Sequence, residues 1–278
     1  MLERFQTIAD GLDHPEGIAW WPGGRLVAGG EAGQIYDIGL DGEVVELAST
    51  GGFIYGLAVD ADGNVFACDY GNAAVQRIDR SGAVETYSTG TPERPMRVPN
   101  FAAFDDRGNL YVTDSGEWGR DDGLLYVVAP GGGTHVWSEA VPRFPNGCCL
   151  APDRGSLLVI ESRGRAVVRV PIEDDGSAGP PRPLADLSGS QPDGVAPAED
   201  GSLLVGCYRP DRLYRISPDG RDVDVVADDP DGVVLNQPAN VAFIGTELDR
   251  VAVSSLGGWS IVAADLGVRG ARLAYPRL

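Results

Sequence analysis

The chain has 278 residues, 43% hydrophobic and 23% charged, an ordinary globular composition that can bury a core large enough to offset the entropy of ordering. Its 22 basic against 41 acidic residues give a net charge of −19, which excludes nucleic acid and anionic membrane surfaces as natural partners. The 39 glycines and 20 prolines are scattered along the chain, as expected of many short strands joined by tight turns rather than long helices.

The segment "MLERFQTIADGLDHPEG" has no continuous apolar core to act as a signal peptide, and no stretch is long enough to span a bilayer, so the expected address is cytoplasmic. Cys68, Cys148, Cys149 and Cys207 show no CxxC spacing and read as reduced core residues. Within that first segment "RFQTIADG", residues 4 to 11, is a strand with no repeat unit of its own.

From there one pattern recurs. Six apolar runs open in chain order: "HPEGIAW", "IYGLAVD", "VPNFAAFD", "FPNGCCLA", "QPDGVAP" and "QPANVAF". Their opening positions are Glu16, Tyr55, Asn100, Asn146, Asp193 and Ala239, spaced 39, 45, 46, 47 and 46 apart. A turn and a second strand follow each, as in "ADGNVFACD", "DRGNLYVTD", "PDRGSLLVIES" and "EDGSLLVGCY", then a third alternating strand such as "QIYDI", "LLYVV" or "RLYRI". Several units add a fourth after a DG or PGG turn. Six such units predict an all-β six-bladed propeller of four-stranded antiparallel blades, one domain over residues 1–278. The N-terminal strand is expected to close the last blade, whose C-terminal material includes "ARLAYP", and so to reduce exposed edges.

In a propeller the first strands line the channel and run in one direction, so the six opening positions form a ring at one mouth. Glu16 and Asp193 bring carboxylates to it, Asn100 and Asn146 neutral amide oxygens, and Tyr55 and Ala239 complete it. Oxygen donors without thiolate or imidazole suit a hard divalent cation, calcium first, with magnesium, manganese or zinc as alternatives. The competing reading of each "NG" or "DG" is an Asx turn. Asp69, Asp114 and Glu161 end second strands at the same mouth; Asp69 and Glu161 read as solvated rim charges, and Asp114 equally as a strand-end cap or a functional group.

These motifs, in this order and over nearly the whole chain, resemble the SMP-30/gluconolactonase/luciferin-regenerating-enzyme family of six-bladed propellers. The resemblance implies a divalent metal held by Glu16, Asn146 and Asp193, with Asn100 beside metal or substrate, Asp114 implicated in some members, and metal-dependent hydrolysis of a lactone. Asp193 is the candidate base, or a ligand only. Arg97 is either a substrate contact or a solvated loop arginine. The family's usual PND reads "PNF" here, and Phe101 in place of the acid suggests a more apolar pocket walled by Tyr55, Trp118 and Phe144, unless these aromatics only pack between blades.

A serine triad has little support, because the chain holds only His14 and His135 and no GxSxG. His14 is either a proton shuttle or a structural residue of the strand-entry turn. Two other functions stand beside the hydrolase: a non-catalytic propeller that binds a small ligand or a protein, and a family member recruited to a different reaction.

Overall fold

Alternation of apolar and polar residues over five- or six-residue runs, broken by Asp-Gly and Gly-Asn turns, gives short strands that pair with their sequence neighbours. The structure is a computed structural model that describes residues 1–278. It contains six four-stranded antiparallel sheets. Blade 1 is Ile18–Trp21, Arg25–Gly29, Gln34–Gly39 and Val44–Ser49; blade 2 is Ile54–Val59, Val65–Asp69, Ala74–Ile78 and Val84–Ser88. Blade 3 is Pro99–Phe104, Leu110–Asp114, Leu124–Val128 and Thr134–Ser138; blade 4 is Pro145–Leu150, Ser156–Glu161, Ala166–Pro171 and Arg182–Asp186. Blade 5 is Gln191–Pro197, Leu203–Tyr208, Arg212–Ile216 and Val223–Asp228. Blade 6 takes Pro238–Ile244, Arg250–Ser255 and Ser260–Ala264, and its outer strand is the N-terminal Gln6–Asp10.

The first strands contact one another around a closed ring, blade 6 against blade 1 included. Inner strands are therefore buried on both faces and outer ones largely exposed, as Pro145–Leu150 and Val44–Ser49 illustrate. The core lies between blades. One cluster joins Ile54 and Val65 to Val27 and Ile35 across blades 1 and 2, and another joins Phe66 and Val75 to Phe104 and Tyr126 across blades 2 and 3. All four cysteines are free and buried in this packing. No helix is long and apolar enough to cross a membrane.

Closure differs from expectation in one respect. Gln6–Asp10 pairs antiparallel with Ser260–Ala264, with a bulge between Thr7 and Ala9. The "ARLAYP" segment takes no part in that pairing. It crosses the opposite end of the channel, where Ala271 N–H donates to Pro197 O (2.9 Å), Ala61 N–H to Pro276 O (2.9 Å), and Tyr275 Oη–H to Trp20 O (2.8 Å). The segment, with Arg272 near its start and Pro276 at its end, lacks the alternation of a strand, and here it bridges blades 5, 1 and 2 as a cap.

Candidate active site at the channel mouth

The opening residues belong to strands or their immediate lead-in, not to turns: Asn146 and Gly147 lie in Pro145–Leu150, and Asp193 and Gly194 in Gln191–Pro197. Each first strand of blades 2 to 6 carries a register shift there, between Ile54 and Leu57, Pro99 and Phe101, Pro145 and Cys148, Pro192 and Val195, and Pro238 and Val241. A bulge places an extra residue against its partner and re-aims its side chain. That local irregularity falls at the ring position in each of these five blades.

The glycine after the ring residue has a packing reason. A Cβ on Gly147 would lie 2.5 Å from Asp193 O, one on Gly56 2.5 Å from Asn100 O, and one on Gly17 1.9 Å from Tyr55 O. Neighbouring first strands approach so closely at the mouth that only hydrogen fits. Side-chain hydroxyls then tie one blade to the next: Thr113 Oγ1 donates to Asn146 O (2.9 Å), Ser115 Oγ to Pro145 O (2.7 Å), Ser162 Oγ to Pro192 O (2.7 Å) and Ser254 Oγ to Glu16 O (2.7 Å).

Asp193 is 5% exposed, and Asn146 4%. The Asn146 Nδ2 donates to Ser162 Oγ (3.1 Å), and the Asn146 amide and the Tyr208 phenol lie close enough to the Asp193 carboxylate to favour its charged form. Burial outweighs both, and the Asp193 pKa is pushed up to about 7. Glu16 sits well above the usual carboxylate range, because of burial first, then repulsion from Asp193 and from Glu31. Tyr55 and Tyr208 both have raised phenol pKa values, Tyr55 through burial with Glu16 and Asp193 nearby, and Tyr208 chiefly through the charge of Asp193. Glu16, Asn146, Asp193, Tyr55 and Tyr208 are thus brought within mutual electrostatic reach. Asn100 is 3% exposed and its amide has no protein partner.

Other residues stand elsewhere. Phe101 packs with Tyr111, Leu125, Cys148 and Val159 in the core between blades 3 and 4, below the ring, so the apolar side chain of "PNF" does not wall the mouth. Arg97 is engaged by Asp122, its Nη1 donating to Oδ2 (3.0 Å) and Nη2 to the carbonyl (3.1 Å), in a polar recess with Arg94 and Tyr126. Trp118 is 52% exposed and meets Phe144 edge-on at 4.8 Å, on the rim outside the ring.

The reading of Asp69 and Glu161 as solvated charges is overturned. Both are buried, and each holds the backbone that leads into its own blade's first strand: Asp69 Oδ1 accepts from Phe53 N–H (3.2 Å), and Glu161 Oε1 from Arg143 N–H (2.9 Å). Asp114 does the same for Arg97 N–H (2.7 Å) and Val98 N–H (3.1 Å), and also caps its strand end by accepting from Gly116 N–H (3.2 Å). Burial raises the pKa of Asp114 despite these bonds. His14 has left-handed backbone (φ 40°), lies 2.7 Å by Nδ1 from Glu31 Oε2, and packs on Trp259 at 4.6 Å between ring centres.

Tyr208 escaped the sequence reading. It ends the second strand of blade 5 opposite Gln191, the place that Tyr70 takes just past the second strand of blade 2, and aligning "GCY" with "CDY" would have found it.

The donor set fits a hard divalent cation. Glu16 lies within electrostatic reach of Asp193 with Asn146 beside it, no arginine or lysine pairs with either carboxylate, and neither the Glu16 carboxylate nor the Asn100 amide has a protein hydrogen-bond partner.

Comparison with known proteins places the chain in a family. Residues 80–257 match the model of the SMP-30/gluconolactonase/LRE-like region, and the chain belongs to that family. The match includes Asn100, Asn146 and Asp193. Over 113 residues, 40% of this chain and 37% of the relative, it is 28% identical to the 6-deoxy-6-sulfogluconolactonase of Pseudomonas putida, so it spans little more than a third of that protein. Two solved structures share the fold: a gluconolactonase of Xanthomonas campestris (TM-score 0.81, 21% identity, 94% of this chain and 89% of the other). The second is a calcium-binding regucalcin of Agrobacterium tumefaciens (TM-score 0.79, 18% identity, 98% and 97%).

Proposed function

We propose that the protein is a metal-dependent lactonase that opens a small cyclic ester at the channel mouth. Two carboxylates without a compensating base carry the reading: burial raises the proton affinity of both Glu16 and Asp193, and the Asp193 charge raises that of Glu16 further, an arrangement that is costly unless a cation joins them. Family membership, the partial likeness to a sulfogluconolactonase and a propeller shared with a gluconolactonase support it.

Glu16, Asp193, Asn146 through Oδ1, and Asn100 would hold the ion, and a calcium-binding regucalcin of the same fold supports calcium over magnesium, manganese or zinc. When bound, the cation supplies polarisation of the ester carbonyl and a water acidic enough to attack it near neutral pH. Asp193, fixed by Asn146 and Tyr208, takes one proton from the attacking water and returns it to the ring oxygen as the acyl C–O bond breaks, leaving an open hydroxy acid. Asn100, its amide free of protein partners, orients the substrate or completes the ion's shell. A small-molecule substrate and a cytoplasmic address belong to the same proposal, the latter supported by four free buried thiols.

The test is metal analysis of the purified chain followed by a pH-indicator assay on sugar and aliphatic lactones with and without EDTA. Activity should vanish with chelator, return with calcium, and fall at least about a hundredfold in Asp193→Asn. Tight metal binding with no turnover of any lactone would overturn the reading.

A further inference from the structure

Three aromatic side chains of this protein are exposed, and all three stand at the same mouth. Tyr70 is 43% exposed, Trp118 52% and Trp259 47%; the other large hydrophobic side chains on the surface are aliphatic. Each occupies the connection between the second and third strands of its blade, after Asp69, Asp114 and Ser255 respectively. Because second strands end where first strands begin, those connections surround the ring that holds Glu16, Asn146 and Asp193. The opposite end of the channel, crossed by residues 271–276, has no exposed aromatic.

These side chains are built into the mouth. Tyr70 stacks on Tyr55 with ring planes 7° apart and centres at 5.2 Å, and Phe53 meets Tyr55 edge-on at 4.8 Å. Tyr55 is a ring residue whose carbonyl abuts Gly17, next to Glu16. An aromatic surface therefore runs from beside the carboxylates outward to solvent on blade 2. Trp118 is set edge-on against Phe144, which leads into the strand of Asn146, and Trp259 lies against His14, two residues before Glu16. The rim is aromatic on three sides of a centre that is itself polar.

A polyhydroxylated sugar can lay a C–H face on one such ring, but its hydroxyls project around the whole perimeter and need donors and acceptors there. Exposed aromatic faces converging on one polar centre instead suit a ligand with one polar group and an apolar remainder. Resting on the lactonase reading, we propose that the substrate is a lactone bearing an apolar substituent, alkyl or aryl, with the ester at the ring and the substituent laid along Tyr70, Trp118 and Trp259. The reaction is unchanged: water adds to the carbonyl carbon, the ring C–O bond breaks, and the product is a hydroxy acid with the same substituent.

The experiment uses the full chain loaded with calcium and a series of γ-lactones whose side chain lengthens from methyl to hexyl, with glucono-δ-lactone beside them. kcat/KM should rise about two- to fourfold per methylene until the substituent outruns the rim, because each methylene removed from water is worth up to about a fourfold change. The ratio of kcat/KM for hexyl over methyl should drop by about 5- to 20-fold in Trp118→Ala and, separately, in Trp259→Ala. Both residues are exposed, so loss of folding does not cloud the result. Quenching of tryptophan fluorescence by the longer lactones, weakened in Trp118→Ala, gives a readout without turnover.

Preference for glucono-δ-lactone with no dependence on chain length would overturn the aromatic rim as a specificity device and leave the lactonase reading standing. Chain-length-dependent quenching without hydrolysis of any lactone would overturn the lactonase reading and support the rim as a site for such ligands. Neither quenching nor hydrolysis would overturn both.

Discussion

Asp193 has Asn146 and Tyr208 beside it, neighbours that by themselves would hold a carboxylate below its ordinary range, and burial nevertheless pushes its pKa up to about 7. Desolvation wins because no positive side chain offsets it. In the metal-free protein, the folded pKa lies above that of the unfolded chain, about 3.9. Stability from this group is then fully present below about pH 4 and is lost as pH rises through 7, since the folded state binds the proton more tightly than the unfolded one. Asp193→Asn cannot ionise. In EDTA it should match wild type near pH 4 and melt about 3–8 °C higher at pH 8, while calcium should raise the wild-type melting temperature and leave the variant unmoved. Scanning fluorimetry at the two pH values decides it, and a variant less stable than wild type at pH 8 would contradict the destabilising burial of Asp193. The residue proposed as the base is the one that destabilises the metal-free fold.

At the scale of the strand, the bulge and the glycine act together: the first aims the ring side chain, and the second lets adjacent blades approach closely enough for the side chains to meet. Gly147→Ala places a methyl 2.5 Å from Asp193 O and 2.8 Å from Gly194 Cα, contacts that only movement of one blade can relieve. It should cost about 1–3 kcal/mol in a urea titration and weaken calcium binding, whereas Gly155→Ala, whose nearest neighbour would be Asp153 Oδ1 at 3.5 Å, should leave both almost unchanged. The carboxylates at the second-strand ends have a separate role. Asp69→Ala would strand Phe53 N–H and the Asn72 backbone and side-chain donors, with an expected loss of about 1–3 kcal/mol and no change in metal stoichiometry by elemental analysis.

This is also the scale at which the sequence stops being legible. Ring positions could be read because strand period and repeat length are local and recur, so Glu16, Asn100, Asn146 and Asp193 fall into register without coordinates. The burial of Asp69 and Glu161 could not, because the amides they accept from lie 16 and 18 residues earlier, across a lead-in loop that composition does not position. Phe101 defeats the motif comparison for a similar reason: a bulge decides which residue faces the axis, and an apolar side chain one place past the ring turns into the interblade core.

For the whole molecule, the difficulty is that a ring made from a linear chain must be closed somewhere, and an unclosed blade presents an open edge. Here the ends are used at different levels. Gln6–Asp10 supplies the outer strand of blade 6, with Phe5 buried between blades 5 and 6 and Ala9 and Leu12 between blades 6 and 1. Residues 271–276 fasten blades 5, 1 and 2 at the end away from the site, and Ser254 to Glu16 O joins the same seam at the ring itself. Because the seam lies between blades 6 and 1, closure holds the backbone of Glu16 in the ring, and the proposed site depends on it through that one residue. Deleting residues 1–11 removes Phe5 and Ala9 from the core and exposes Ser260–Ala264 as an unpaired edge. Burial of one phenylalanine and the strand that follows it is worth on the order of 5 kcal/mol, a large part of what a domain of this kind has to lose. The truncated chain should elute as oligomers on size exclusion, melt well below the intact protein, and bind calcium weakly even in the fraction that stays monomeric. A truncated monomer that keeps full calcium affinity would show instead that the ring is held by its inner strands alone, and that the N-terminal strand contributes solubility without positioning Glu16.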